Sequence, residues 1–165
     1  MTKEEAMTRL EACVLPEWSA LPDFGLYMDQ VVTYVGNCFG TLDGRCSLTT
    51  NMINNYVKGG LIDRPVGKKY SRTSLAQLLV ISLLKPTSSL EEMRGLLCMG
   101  DTGKTESCYN AFRALQMQTL EAVKSRSEDS ALQCAIEASF LQLLSGMMLQ
   151  DEEKFSLIGK KHRKR

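Results

Sequence analysis

The sequence predicts an all-α fold with one short β wing and a helical hairpin toward the C-terminus. Three observations lead there. Apolar residues recur at spacings of three and four along most of the chain. Capping residues stand in front of the periodic stretches, and strand-like alternation is nearly absent. A length of 165 residues with 44% apolar residues allows a real core and excludes a disordered chain.

Residues 2–14 predict a short amphipathic helix, with Thr2 placed to cap it ahead of Glu4 and Glu5. Pro16 and Pro22 punctuate a loop that carries the lone tryptophan, Trp18. Leu26, Met28, Val31, Val32, Val35, Cys38 and Phe39 favour a helix over 26–39, although the adjacent valines also permit a strand. Gly40–Arg45 is a turn-rich break. The next helix begins near Thr49, with Thr49 or Thr50 as its cap and Met52, Ile53, Tyr56 and Val57 as its apolar stripe. Gly59 and Gly60 stop it, one of them in the left-handed conformation. Asp63–Ser71, with Pro65 and Gly67, reads as a tight hairpin or loop. Ser71 or Thr73 caps a helix over 74–85 that is apolar on most sides and belongs at the centre of the core, and Pro86 ends it. Ser88 or Ser89 with Glu91 or Glu92 resembles a capping box, opening a helix to about Met99. Gly100–Gly103 is a linker. Two longer helical patterns follow, Thr105–Ser125 and Glu128 to about Gln150, and together they suggest a hairpin. The chain then ends in a charged segment, 151–165, that turns basic in GKKHRKR.

Several function classes lack their signatures. There is no GxGxxG, GxxxxGK[ST] or HExxH. GDTGKT at 100–105 only faintly resembles a phosphate loop, since the first glycine is out of register and no strand precedes it. The single histidine, His162, lies in the terminal tail, where no triad can be preorganised. The expectation is therefore a protein that is not an enzyme, with no catalytic residues and no cofactor. The six cysteines form no CxxC pair, so no metal site is expected. No contiguous apolar run approaches the roughly 20 residues of a membrane span, and the N-terminus has acids where a signal peptide needs positive charge. A cytoplasmic protein with no membrane partner is the expectation.

The net charge of +1 conceals segregation. Residues 1–44 set Lys3 and Arg9 against seven acids, a balance of −5. Residues 45–72 set six cations against Asp63, a balance of +5. A localised positive block suits a phosphate backbone. It coincides with the Asn-rich helix. If Ile53 and Tyr56 face the core, then Thr50, Asn51, Asn54, Asn55 and Lys58 occupy the outer face, where amides can pair with adenine and lysine can reach phosphate or guanine. Asparagine is a poor helix former, so three in five positions want a reason. Arg64, Lys68, Lys69, Tyr70 and Arg72 then supply a basic turn ahead of a helix N-terminus, suited to phosphate clamping. Tyr70 also reads as a core anchor. The order of an amphipathic helix, a Gly-Gly stop, a basic turn and an apolar helix is that of a helix-turn-helix with a wing.

INNYVKGGLI at 53–62, KKYSRTSLAQLLVISLLK at 68–85 and SLEEMRGLL at 89–97 resemble the DNA-binding unit of MerR-type regulators. With the upstream LPDFGLYMDQVVTYV, residues 15–100 resemble more closely still a bacterial family known as domain of unknown function 1836. The MerR resemblance implies a recognition helix at about 49–59, a basic wing at 63–71, and a transcriptional regulator of double-stranded DNA. Asn54 stands where MerR-type proteins carry a DNA-contacting arginine, and Asn55 where they carry a second tyrosine, so base preference does not transfer. The domains expected are an N-terminal helix and Pro-rich loop (1–23), a winged helix-turn-helix (24–100), a helical hairpin that dimerises two copies (101–150) and the basic tail. The competing readings are a protein-interaction module on the same scaffold and a sensor for a small-molecule effector.

Overall fold

A computed structural model describes residues 1–97, 105–126 and 130–161. These form seven α-helices: α1 (Lys3–Glu11), α2 (Met28–Cys38), α3 (Thr50–Lys58), α4 (Arg72–Leu84), α5 (Leu90–Leu96), α6 (Thr105–Lys124) and α7 (Ala131–Lys161). A 3₁₀ turn at Trp18–Ala20 interrupts the loop before α2. The all-α expectation holds.

Local chemistry sets most helix starts. Thr2 and Glu5 form a reciprocal capping box on α1, and Ser89 and Glu92 form one on α5. The Thr49 side chain accepts from the Met52 amide at 3.3 Å, and Ser71 accepts from Ser74 at 3.1 Å. Each satisfies an amide the helix leaves orphaned. Helix α4 is the axis of the core. Leu75, Ala76, Leu78, Leu79, Val80 and Ile81 are buried, as are its polar Ser74, Gln77 and Ser82. Helix α2 packs on one side of it and α6 on another.

The structure corrects three expectations. First, α6 and α7 do not form a separate hairpin. Helix α6 packs on α4, α1 and the 3₁₀ turn, while α7 packs on α5. The reason is a set of side chains on α6 that satisfy the backbone of the loop after α1. The Tyr109 hydroxyl donates to the Pro16 carbonyl at 2.8 Å, and Arg113 Nε donates to Leu15 O at 2.8 Å. Gln116 accepts from Leu15 N at 2.9 Å and donates to Cys13 O at 3.0 Å. Buried backbone groups need such partners, so α6 is part of the core. Second, the short β wing contains no strand among the described residues. It consists of two isolated bridges, Leu26 with Tyr70 and Val66 with Lys69. Third, α7 continues to Lys161, through part of the segment expected as a tail, and its Ala131–Leu149 stretch is long and apolar enough to cross a membrane. A search for contiguous apolar runs misses it because Gln133, Glu137 and Gln142 interrupt the run without lowering its average much. The linker glycines, most of GDTGKT, the end of the α5 pattern at Cys98–Met99 and His162 lie outside the described residues.

Candidate functional site

Helix α3 presents two chemically different faces. Ile53 and Tyr56 are buried, with Met52 and Val57 half-buried beside them, and this side packs against α2. Thr50, Asn51, Asn54, Asn55 and Lys58 are all exposed. The predicted recognition face is therefore one continuous polar surface. Its C-terminal end is fixed by glycine. Gly59 closes the helix, and Gly60, at φ +67°, turns the chain so that the Leu61 amide reaches Tyr56 O at 2.9 Å and the Gly60 amide reaches Val57 O at 3.1 Å. Arg94 of α5 adds a third tie, donating from Nη2 to Gly59 O at 2.7 Å. This residue lies far away in sequence, and no local signal singled it out.

The basic turn follows. Val66 and Lys69 exchange both backbone hydrogen bonds at 3.0 Å, around Gly67 at φ +56° and Lys68 at φ +66°. Two consecutive positive φ values make a two-residue hairpin turn of the mirror-image type I class, which favours Asn and Gly at its centre. Lys68 sits there at a steric cost that glycine or an asparagine side chain would reduce. The base of the turn is anchored by the Leu26–Tyr70 pairing, at 2.8 and 3.0 Å. Gly25 permits that approach, since a Cβ there would lie 2.8 Å from Lys69 Cβ. Lys69 Nζ lies 5.2 Å from the centre of the half-exposed Tyr27 ring. Tyr27 joins the surface as a residue the sequence did not flag.

Seven of the ten predicted site residues thus lie exposed on α3 and in the stretch just after it: Thr50, Asn51, Asn54, Asn55, Lys58, Arg64 and Lys68. Lys69 is exposed as well, engaged with Tyr27. Lys58, Arg64, Lys68 and Lys69 have no carboxylate within ion-pair distance among the described residues. Two residues depart. Tyr70 is only 3% exposed and is a core residue, with burial pushing its hydroxyl up from the usual range. Arg72 is half-buried, 5.9 Å from the Trp18 ring centre and 4.0 Å from Asp23. It braces the loop before α2 and leaves the clamp to the lysines.

Elsewhere, burial pushes the Cys38 and Cys46 thiols up, the opposite of an activated nucleophile. No cluster of metal-ligating side chains occurs among the described residues. A cavity of about 380 Å³ opens between α1, α4 and α6, lined chiefly by Leu10, Leu42, Leu83, Phe112, Leu115 and Leu120.

The family described as a domain of unknown function (DUF1836) matches residues 16–112, over half of the chain, and the chain belongs to that family. The matched segment ends at Phe112, just beyond Tyr109, and so takes in the α6 residues that close the core. No curated protein and no solved structure matches the chain.

Proposed function

We propose that the chain is a DNA-binding transcriptional regulator on a MerR-like winged helix-turn-helix plan, with α3 as recognition helix and the 66–69 turn as a reduced wing. The observation that carries the reading is the α3 surface together with its turn. Three asparagines and four cations are exposed there, and among the described residues none of the cations is neutralised by a carboxylate. Such a surface can hold phosphates through Lys58, Arg64, Lys68 and Lys69 while Asn54 or Asn51 meets a base edge. Lys68 in a strained turn position supports the same reading, because strain at an exposed tip is retained where the side chain has work there. The α2–α3 connection, residues 39–49, is longer than the usual turn of a helix-turn-helix. The reading needs only that α3 be fixed on its inner face and free on its outer one.

The test is a salt titration of binding to duplex DNA. Lys68→Ala combined with Lys69→Ala should flatten the log–log salt dependence by about two units. Asn54→Ala should cost about 1–3 kcal/mol on a selected duplex and little on a scrambled one. No binding at low salt by the unaltered chain would overturn the proposal and leave the protein-interaction reading. The cavity between α1, α4 and α6 favours a second element, a small apolar effector. Its size falls in the range of ligand pockets. Melting the protein against a panel of fatty acids and aromatic acids would test that element.

A further inference from the structure

Helix α7 is exposed in a way its composition does not suit. Over residues 131–149 it carries one charged side chain, Glu137, and that group pairs with Arg126. One side of α7 meets α5. Gln142 donates to Glu92 at 3.3 Å, and Leu149 approaches Gly95 so closely that a Cβ there would sit 3.1 Å from it. Most of the remaining circumference is apolar and uncovered. Leu132, Ile136, Phe140, Leu143 and Met147 are 71, 49, 69, 63 and 58% exposed. A helix apolar nearly all round belongs in a core, a coiled seam or a bilayer.

We infer that this face pairs with the same face of a second copy of the chain, giving a two-fold dimer joined along α7. Three observations choose this occupant. Ile136, Phe140, Leu143 and Met147 follow one another at four, three and four residues, the spacing of a helix–helix seam. With Leu132 they expose on the order of 600 Å² of apolar surface, so a symmetric pair removes roughly 1,200 Å², where stable interfaces begin. A bilayer fits less well. Glu92 of α5 lies against Gln142, so α7 would have to carry a carboxylate into lipid or leave α5 behind.

The inference stands independently of DNA binding, but it has a consequence for it. Helix α5 touches α7 on one side and, through Arg94, holds the C-terminal carbonyl of α3 at Gly59. A pair joined at α7 would set the distance between the two α3 helices through α5, as a regulator reading two half-sites requires.

The experiment is light scattering of the full chain in detergent-free buffer at micromolar concentration. The unaltered protein should have the mass of two chains, and Ile136→Glu with Phe140→Glu should reduce it to one, with Trp18 fluorescence checking that the core still melts cooperatively. A second variant covers the case in which that one fails to fold. Phe140→Cys in a Cys134→Ser background should cross-link chain to chain with a short bismaleimide, whereas Cys134→Ser alone should not. A one-chain mass for the unaltered protein, a two-chain mass for the folded double variant, or flotation of the unaltered protein with phosphatidylcholine–phosphatidylglycerol vesicles would overturn the inference.

Discussion

Helix α4 and the Ala131–Leu149 stretch of α7 are both rich in leucine and other large apolar residues, yet α4 has nearly all of its surface covered and that stretch of α7 has little. Composition does not explain the difference; neighbours and length do. Helix α4 has 13 residues between the Ser71 cap and Pro86. It lies between α2 and α6, which lock onto it through Val31, Val35 and Tyr109. Helix α7 has 31 residues, roughly 46 Å at the α-helical rise. A domain of this size is only about 35 Å across, so it cannot cover such a helix along its whole length. The comparison teaches that an apolar helix is a demand for surface, met within the chain for α4 and left to a partner for α7.

The sharpest way to break the comparison is to truncate a leucine in each helix. Leu79 is fully buried, and Leu79→Ala should lower unfolding stability by about 2–5 kcal/mol in urea denaturation followed by Trp18 fluorescence. Leu143 is largely exposed, and Leu143→Ala should leave the same transition within about 0.5 kcal/mol at concentrations too low for pairing. At higher concentrations it should weaken association instead. Equal losses in both variants at low concentration would mean that α7 is covered inside a single chain.

A smaller effect tests why α6 sides with α4. Tyr109 is completely buried, its ring set edge-on to Trp18 with centres 5.8 Å apart, and burial pushes its hydroxyl far above the usual range. Tyr109→Phe keeps the ring and removes the donor to Pro16 O. The expected cost is about 1 kcal/mol, because the part-buried Pro16 carbonyl loses its partner. A thermal melt unchanged by this substitution would mean that the hydrogen bond does not hold α6 to the core.

What was legible in the sequence follows from how local each signal is. Thr49, Ser71, Ser89 and the Gly59–Gly60 stop act within four residues of themselves, and each occupies the place the spacing predicted. The two faces of α3 were legible for the same reason, because a helical period separates Ile53 and Tyr56 from Asn54 and Lys58. The membership of α6 in the core was not. It rests on Tyr109, Arg113 and Gln116 meeting the backbone of residues 13–16, across about a hundred positions, with no period to announce them. Arg94 on Gly59 and Leu26 on Tyr70 were hidden likewise. Tyr70 is the core anchor that its aromatic ring suggested, whereas Arg72 was misplaced in the basic site because proximity in sequence to Lys68 and Lys69 says nothing about which way the chain turns after a two-residue hairpin.

The smallest expected effect sharpens the comparison at the joint where α7 is held. Glu92 accepts from the Ser89 amide at 2.7 Å, which with the Ser89 hydroxyl lowers its carboxyl below the ordinary value, and Gln142 of α7 adds a smaller contribution in the same direction. A carboxylate lowered in the folded state contributes stability above its unfolded value and loses that contribution as pH falls through the folded one. The start of α5 and its contact with α7 should therefore loosen only on acidification below the normal carboxylate range, near pH 4. Glu92→Gln keeps a capping side chain and removes the charge, so amide exchange in α5 should lose that acid-dependent step. Gln142→Ala should move the Glu92 midpoint slightly upward while leaving the cap intact, because only the α7 contribution is gone. The measurements are amide exchange against pH for Glu92→Gln and a carboxyl titration by nuclear magnetic resonance for Gln142→Ala, each beside the unaltered chain. A Glu92 midpoint indifferent to Gln142 would mean that α7 is not docked on α5 in solution. The buried and the uncovered helix would then differ by more than their neighbours, since α7 would have none.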